Sequence, residues 1–225
     1  DLLYFVDTED EAPFQRMPMD AVRHSSTWYV LRDGRPLRGD TARLREQVDG
    51  PLRIVGSESP DWLGVPMLRG GEAVGALVVQ SYRDDVRFSD ADQALLGFVA
   101  SHILAVLERK AGLLLADHDV FASIAGGVRV DERSIDLALS IAIASSFRNV
   151  PAPPELAVFG EVGLAGEVRA VPRPGPRVAE AKKLGFKRVV LPMLSAEQLS
   201  AEERRGVELV PVRSIGEAID ASLTR

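Results

Sequence analysis

A mixed α/β class is predicted for this 225-residue chain by three observations. The first half holds runs of β-branched and aromatic residues separated by glycine turns, the pattern of an antiparallel sheet with helices. The second half alternates strand-like and helix-like segments, the pattern of a two-layer α/β sandwich. Within the second half, Ile135, Leu137, Ala138, Leu139, Ile141, Ala142, Ile143 and Ala144 make one helix apolar almost all round, which requires burial in a core. A hydrophobic content of 46% and a mean hydropathy of +0.02 fit a globular chain, long enough to bury one large core or two smaller ones.

In residues 1–110 the first expected strand is Leu2 to Val6, followed by acidic, proline-bearing loop sequence. Thr27–Leu31 is β-branched and aromatic and reads as a strand leading to a turn at Asp33-Gly34. Pro51–Val55 reads as another. Trp62 to Leu68 and Ala73 to Tyr82 flank Gly70-Gly71, a hairpin signature. Ser89 is placed to cap a helix, and Asp90 and Asp92 favour its first turn. Leu95, Leu96, Val99, Ile103, Val106 and Leu107 form its apolar stripe.

Residues 111–225 begin with a strand over Asp119–Ala125, and Asp131 or Ser134 is a candidate cap for the buried helix. Pro151, Pro153 and Pro154 stop that helix and feed a strand over Leu156–Glu161. Phe159 to Pro172 alternates apolar residues with Gly160, Gly163 and Gly166, which predicts two short strands joined by a tight turn. A helix from about Pro176 ends at Gly185. Strands at Arg188–Pro192 and Glu208–Val212 bracket a polar helix, and Ile215–Leu223 closes the chain as a helix.

Composition narrows the chemistry. No cysteine is present, which excludes disulfides, thiol nucleophiles and thiolate metal sites and fits a reducing, cytoplasmic setting. His24, His102 and His118 are too scattered to predict a metal site. No apolar run is read as a membrane span, so no membrane partner is expected; the start at Asp1 reads as that of a fragment, so the lack of a basic-then-apolar leader in the sequence carries little weight. Residues 1–110 carry 13 basic and 18 acidic side chains, and residues 111–225 carry 14 and 15, so neither half is bulk basic. Residues 169–188, however, hold Arg169, Arg173, Arg177, Lys182, Lys183, Lys187 and Arg188 against Glu180 alone. Such a run either solvates a helix face or attracts a phosphate backbone.

The Trp62-Leu63-Gly64-Val65-Pro66 strand, the strand ending Leu77-Val78-Val79-Gln80-Ser81-Tyr82, and Phe88-Ser89-Asp90 opening the long helix resemble the C-terminal two-thirds of a GAF domain. Residues 1–110 are therefore expected to be a truncated GAF-like domain, lacking the family's first helix and strand, with a regulatory or dimerising role. The resemblance leaves the alternative of a signalling module that binds a small ligand. Only Phe88 and Asp92 match the cyclic-nucleotide pattern of that family.

Gly160-Glu161-Val162-Gly163-Leu164-Ala165-Gly166-Glu167-Val168 resembles the core motif of Lon-type peptidase domains. Together with Ala125-Gly126-Gly127-Val128-Arg129-Val130, Ser134 to Ala138, Ala144 to Arg148 and Glu180 to Phe186, it resembles more closely the Lon-like C-terminal domain of RadA-type bacterial DNA-repair proteins. That resemblance covers nearly all of residues 111–225 and implies the ribosomal-protein-S5 domain-2-like fold. It further implies a scaffold that assembles as a homo-oligomeric ring with DNA nearby, so Arg169, Arg173, Arg177, Lys182 and Lys183 become candidate DNA contacts.

The alternative, a Lon-type serine endopeptidase, needs a Ser–Lys dyad, because serine is a weak nucleophile until a base removes its proton. Ser134 falls at the nucleophile position, but the lysine position falls on Gly175, and Arg133, Ile135 and Asp136 replace the small residues and proline around the family's serine. Ser134 is expected to be vestigial, with no catalytic residue, metal or cofactor. No P-loop is present. With no Gly/Ser/Pro linker near residue 110, the junction reads as a helix shared between two fused pieces.

Overall fold

The computed structural model describes residues 19–55, 58–115, 120–124 and 133–223, and it is of the expected mixed α/β class. The expected strand Leu2–Val6, the Asp131 cap and the Gly126-Gly127 segment lie outside the described residues. Two compact units emerge, one within Asp1–Ser101 and Leu115–Asp131, the other within His102–Leu114 and Glu132–Arg225.

In the first unit, a 3-10 turn at Met19–Val22 leads to α1 (Ser26–Asp33). The sequence reading made Thr27–Leu31 a strand, and the structure corrects this. Ser25 caps the helix through its hydroxyl oxygen, which accepts from the Trp28 N–H, and Gly34 ends it in a left-handed conformation at φ 59°. This punctuation at both ends outweighs the β-propensity between. Tyr29 and Val30 then fill a core with Leu37, Leu44, Trp62, Ala76 and Val78. Two elements that the sequence reading did not anticipate follow: β1 (Leu37–Gly39) and α2 (Thr41–Gln47), capped by Asp40. Pro51–Val55, expected as a strand, has no regular structure, and Ile54 and Val55 are exposed.

β2 (Asp61–Arg69) and β3 (Glu72–Ser81) form the expected hairpin, with Gly70 and Gly71 both at positive φ in the turn. The sheet runs β1-β2-β3-β4, where β4 (Val120–Ile124) lies parallel to β3 and the other pairs are antiparallel. The sequence reading had assigned β4 to the second half; its hydrogen-bonding neighbour is in the first. α3 (Asp90–Lys110) starts with a reciprocal cap: Asp92 accepts from the Ser89 N–H, and the Ser89 hydroxyl accepts from the Asp92 N–H. By length and composition α3 is apolar enough to cross a membrane, which the sequence reading did not register. Its Leu96, Val99, Ile103, Val106 and Leu107 are buried in the protein, as in the core helix of a globular domain.

In the second unit, a 3-10 turn at Arg133–Ile135 enters α4 (Asp136–Arg148), which ends at Asn149 in a left-handed conformation. The expected single strand over Leu156–Glu161 is broken. β5 (Leu156–Val158) joins a parallel sheet, whereas β6 (Glu161–Val162) pairs with β7 (Val168–Arg169) as a separate hairpin. The break follows from the backbone of Gly160. Its N–H donates to the Ser134 carbonyl, and its own carbonyl accepts from the Leu137 N–H, so neither remains for a strand neighbour. Within the hairpin turn only Gly166 is left-handed, at φ 84°. At Gly163, whose φ is not positive, the Glu167 carboxylate fills the space that a β-carbon would enter.

α5 (Pro174–Lys183) begins two residues earlier than expected. It closes at Gly185, where the Phe186 and Gly185 N–H groups donate to Ala181 and Lys182 in a Schellman pattern. β8 (Arg188–Pro192) lies between β5 and β9 (Glu208–Val212), all parallel. α6 (Met193–Glu197) and the turns after it replace the longer polar helix expected there. Val189, Val190 and Leu191 are all fully buried, so both faces of this sheet are covered. α5 and α6 supply one cover, through Val178, Ala181 and Ala196. α7 (Ile215–Leu223) contacts β8, β9 and α4.

Candidate functional site

The two positions on which peptidase chemistry would depend are accounted for separately. Ser134 is buried in the 3-10 turn that precedes α4, so it is not the helix cap for which the sequence made it a candidate. The helix N-cap itself is Ile135, which makes no side-chain cap. Gly175 is buried near the start of α5, and a β-carbon there would overlap the Glu203 carboxylate, which occupies the space that a side chain at 175 would enter. The nearest lysine along α5, Lys182, donates from Nζ to the carbonyls of Glu203 and Arg205 at 3.1 and 3.3 Å.

Arg133 and Asp136, which stand where the peptidase pattern has other residues, belong to one connected polar cluster. The Arg133 guanidinium lies 3.0 Å from Asp136 Oδ2 and 2.7 Å from Glu161 Oε1, and it donates to the Val162 carbonyl at 2.9 Å. His102 Nε2, from α3, approaches the same carbonyl at 2.6 Å. A carbonyl cannot donate, so His102 must carry its proton on Nε2. The Val162 N–H donates to Asp136 Oδ2 at 3.4 Å. One residue of β6 is thus gripped by α3, the 3-10 turn and α4. On its outer side, Arg169 reaches Glu161 at 3.4 Å and Glu167 at 2.5 Å.

Asp136 is fully buried, and its Oδ1 accepts no hydrogen bond among the described residues. Burial pushes its carboxyl up to about 6, against the pull of Arg133 and of the Val162 N–H. Burial likewise holds the His102 imidazole below its ordinary value, its hydrogen bond to Val162 opposing the shift and Arg133 adding to it. No group of three or more histidine and carboxylate side chains able to hold a metal occurs among the described residues.

The candidate DNA contacts are not gathered on one face. Arg169 is ion-paired as above. Arg173 is exposed at the N-cap of α5, in a left-handed conformation. Arg177 lies over the Phe159 ring at 5.8 Å and donates to the Pro172 carbonyl. Burial lowers its pKa. Lys182 turns to the carbonyls already named, and exposed Lys183 lies 3.5 Å from Glu180. At 100° per residue, positions 177, 182 and 183 point to three sides of the helix. Lys187 and Arg188 pair with Glu155 and Glu208. Four of the seven basic residues in the run thus pair with acids, and for Lys187 and Arg188 those acids are distant in sequence, a pairing that charge counting along the chain cannot register.

In the first unit, Phe88 is buried and its N–H donates to Asp61 at 2.6 Å, while Asp92 serves the helix cap. Both residues of the cyclic-nucleotide pattern thus have structural partners. An open cleft of about 560 Å³ is lined by Asp40, Thr41, Arg45, Glu58, Asp84 and Arg87. Thr41 donates to Glu58, and Arg87 donates to the carbonyls of Asp84 and Val86, so several of its polar groups satisfy one another.

Comparison with known proteins adds two family matches and a set of relatives. A model described as the GAF domain matches residues 3–108, and one described as subunit ChlI of Mg-chelatase matches residues 105–195. The chain is similar to the DNA repair protein RadA of Bacillus subtilis, 47% identical over 123 residues, which is 55% of this chain and 26% of that protein. It is 46% identical to DNA repair protein RadA of Escherichia coli over 117 residues, 52% of this chain and 25% of that one. The match to DNA repair protein RadA of Haemophilus influenzae runs to 187 residues at 47% identity, 80% of this chain and 40% of that protein. The chain thus spans between a quarter and two fifths of the length of these relatives.

Proposed function

We propose that this chain acts in DNA repair as a RadA-like module: a non-catalytic scaffold that assembles with copies of itself and touches DNA, with its GAF-like part serving regulation or dimerisation. The observation that carries this reading is the 46–47% identity to proteins named DNA repair protein RadA over stretches of 117–187 residues. The Lon-like character of the second unit and its oligomeric state belong to the same proposal.

The non-catalytic part of the reading is supported by the burial of Ser134, by Gly175 at the lysine position, and by the use of Arg133 and Asp136 as an ion pair. With an unfolded-protein substrate, wild type and Ser134→Ala are expected to show the same background cleavage. Turnover that depends on the serine hydroxyl would overturn this part.

DNA contact rests on Arg173, Arg177, Lys182 and Lys183 of α5 and its cap. Exposed pairing such as that of Lys183 with Glu180 is weak and does not prevent a lysine from meeting phosphate. A salt titration of duplex-DNA binding tests it. Each phosphate contact adds about 0.9 to the slope of log affinity against log salt, so replacing all four residues by alanine should flatten the slope by as much as about 3 to 4. An unchanged affinity and slope would remove α5 from the interface.

A further inference from the structure

We infer that the grip on Val162 is a proton-linked clamp, in which Asp136 and His102 respond to pH in opposite senses as the β6–β7 hairpin opens and closes. This inference concerns the second unit alone and does not depend on the proposed role in DNA repair. Its basis is geometric. Val162 is fully buried, and its two backbone groups are held by three elements, through His102, Arg133 and Asp136. The charged groups facing the clamp are Arg133 from the 3-10 turn, Glu161 from β6 and Arg169 from β7, so two guanidiniums are shared among Asp136, Glu161 and Glu167. Asp136 keeps one oxygen buried with no hydrogen-bond donor among the described residues, a costly environment for an anion and a cheaper one for a neutral acid.

The linkage follows with definite signs. Closed, Asp136 has its pKa raised to about 6 from 3.8; opened to water, it returns to the lower value. The closed form is therefore favoured by Asp136 below pH 3.8, and that advantage disappears as pH rises to about 6. Closed, His102 has its pKa lowered from 6.5 by burial, which favours the neutral ring with its proton on Nε2 facing the Val162 carbonyl. Its advantage is present above pH 6.5 and is lost as pH falls. Where the two ranges overlap the effects cancel. Closing then places the proton on Asp136 and leaves His102 neutral, and opening hands the proton back to the imidazole. The wild-type clamp is thus buffered, while either residue alone would make it pH-sensitive.

Amide hydrogen exchange of residues 161–169, corrected for intrinsic exchange and measured from pH 4 to pH 7, reads this directly. In His102→Gln the opening equilibrium should increase with pH, by up to about tenfold per unit for one proton. In Asp136→Asn it should decrease with pH, and wild type should have the shallowest slope of the three through pH 5–6. Two flat profiles, or two of the same sign, would overturn the clamp. Should a variant not fold, NMR titration of the wild-type His102 ring decides the question. A neutral, Nε2-protonated ring persisting below pH 6.5 supports the inference, and an ordinary titration overturns it.

Discussion

Gly75→Ala is expected to unseat β4 from the first unit's sheet. Gly75 pairs with Val120 in the parallel register of β3 and β4, and a β-carbon built on it would overlap the Val120 carbonyl oxygen. The obstacle is backbone, which cannot rotate aside as a side-chain terminus can. Relief requires moving β4 as a whole or bending β3, whose Ala76 and Leu77 are fully buried. Overpacking of this kind costs about 1–3 kcal/mol, and losing the strand pairing adds to it. The expected result is a destabilisation of at least about 2 kcal/mol in denaturant unfolding, with loss of amide protection at residues 120–124. Gly97→Ala is the control. Gly97 lies inside α3 with nothing within 4 Å of an added β-carbon, so its replacement should stabilise the helix by about 0.5–1 kcal/mol. If Gly75→Ala were as harmless as Gly97→Ala, β4 would not be held at Val120.

That test addresses the point at which sequence and structure diverge most. The segment over 119–125 is β-rich, and the sequence correctly marks it as a strand, but a short apolar strand carries no mark of its neighbour. Elements with strong local punctuation were legible. The β2–β3 hairpin declares itself through Gly70-Gly71, α3 through the Ser89 cap, and the end of α5 through Gly185. The residue types within Thr27–Leu31 point to a strand, and the signal for α1 lies outside them, in the flanking Ser25 and Gly34. The break at Gly160 had no local signal, since it is made by Ser134 and Leu137, more than twenty residues upstream. The candidate site was half legible. Arg133 and Asp136 were visible as departures from a peptidase pattern, but their contacts to Glu161, Val162 and His102 join residues that only the fold brings together.

Arg133→Ala is expected to be the most damaging single change in the second unit. It removes the cation facing fully buried Asp136, the closer of the Glu161 carboxylate's two arginine partners among the described residues, and a donor that shares the Val162 carbonyl with His102. Truncating one partner of a buried pair costs about 3–5 kcal/mol, chiefly because the other charge is left uncompensated in low dielectric. The loss should itself depend on pH. Arg133 pulls the Asp136 pKa down, so without it the carboxyl titrates higher than about 6. Below that point the acid is neutral and the damage is limited to lost hydrogen bonds; above it, a bare buried anion remains. Stability of Arg133→Ala should therefore fall more steeply than that of wild type from pH 5 to pH 8. Asp136→Asn, placed in the Arg133→Ala background, should restore part of the stability at pH 8 and little at pH 5. An additive double-mutant cycle at both pH values would show that the two side chains do not interact, and the site would then reduce to packing around Val162. A coupling that appears only at the higher pH would identify the ion pair as the group that replaced the small residues beside Ser134. The local chemistry there would then be spent on holding the hairpin closed.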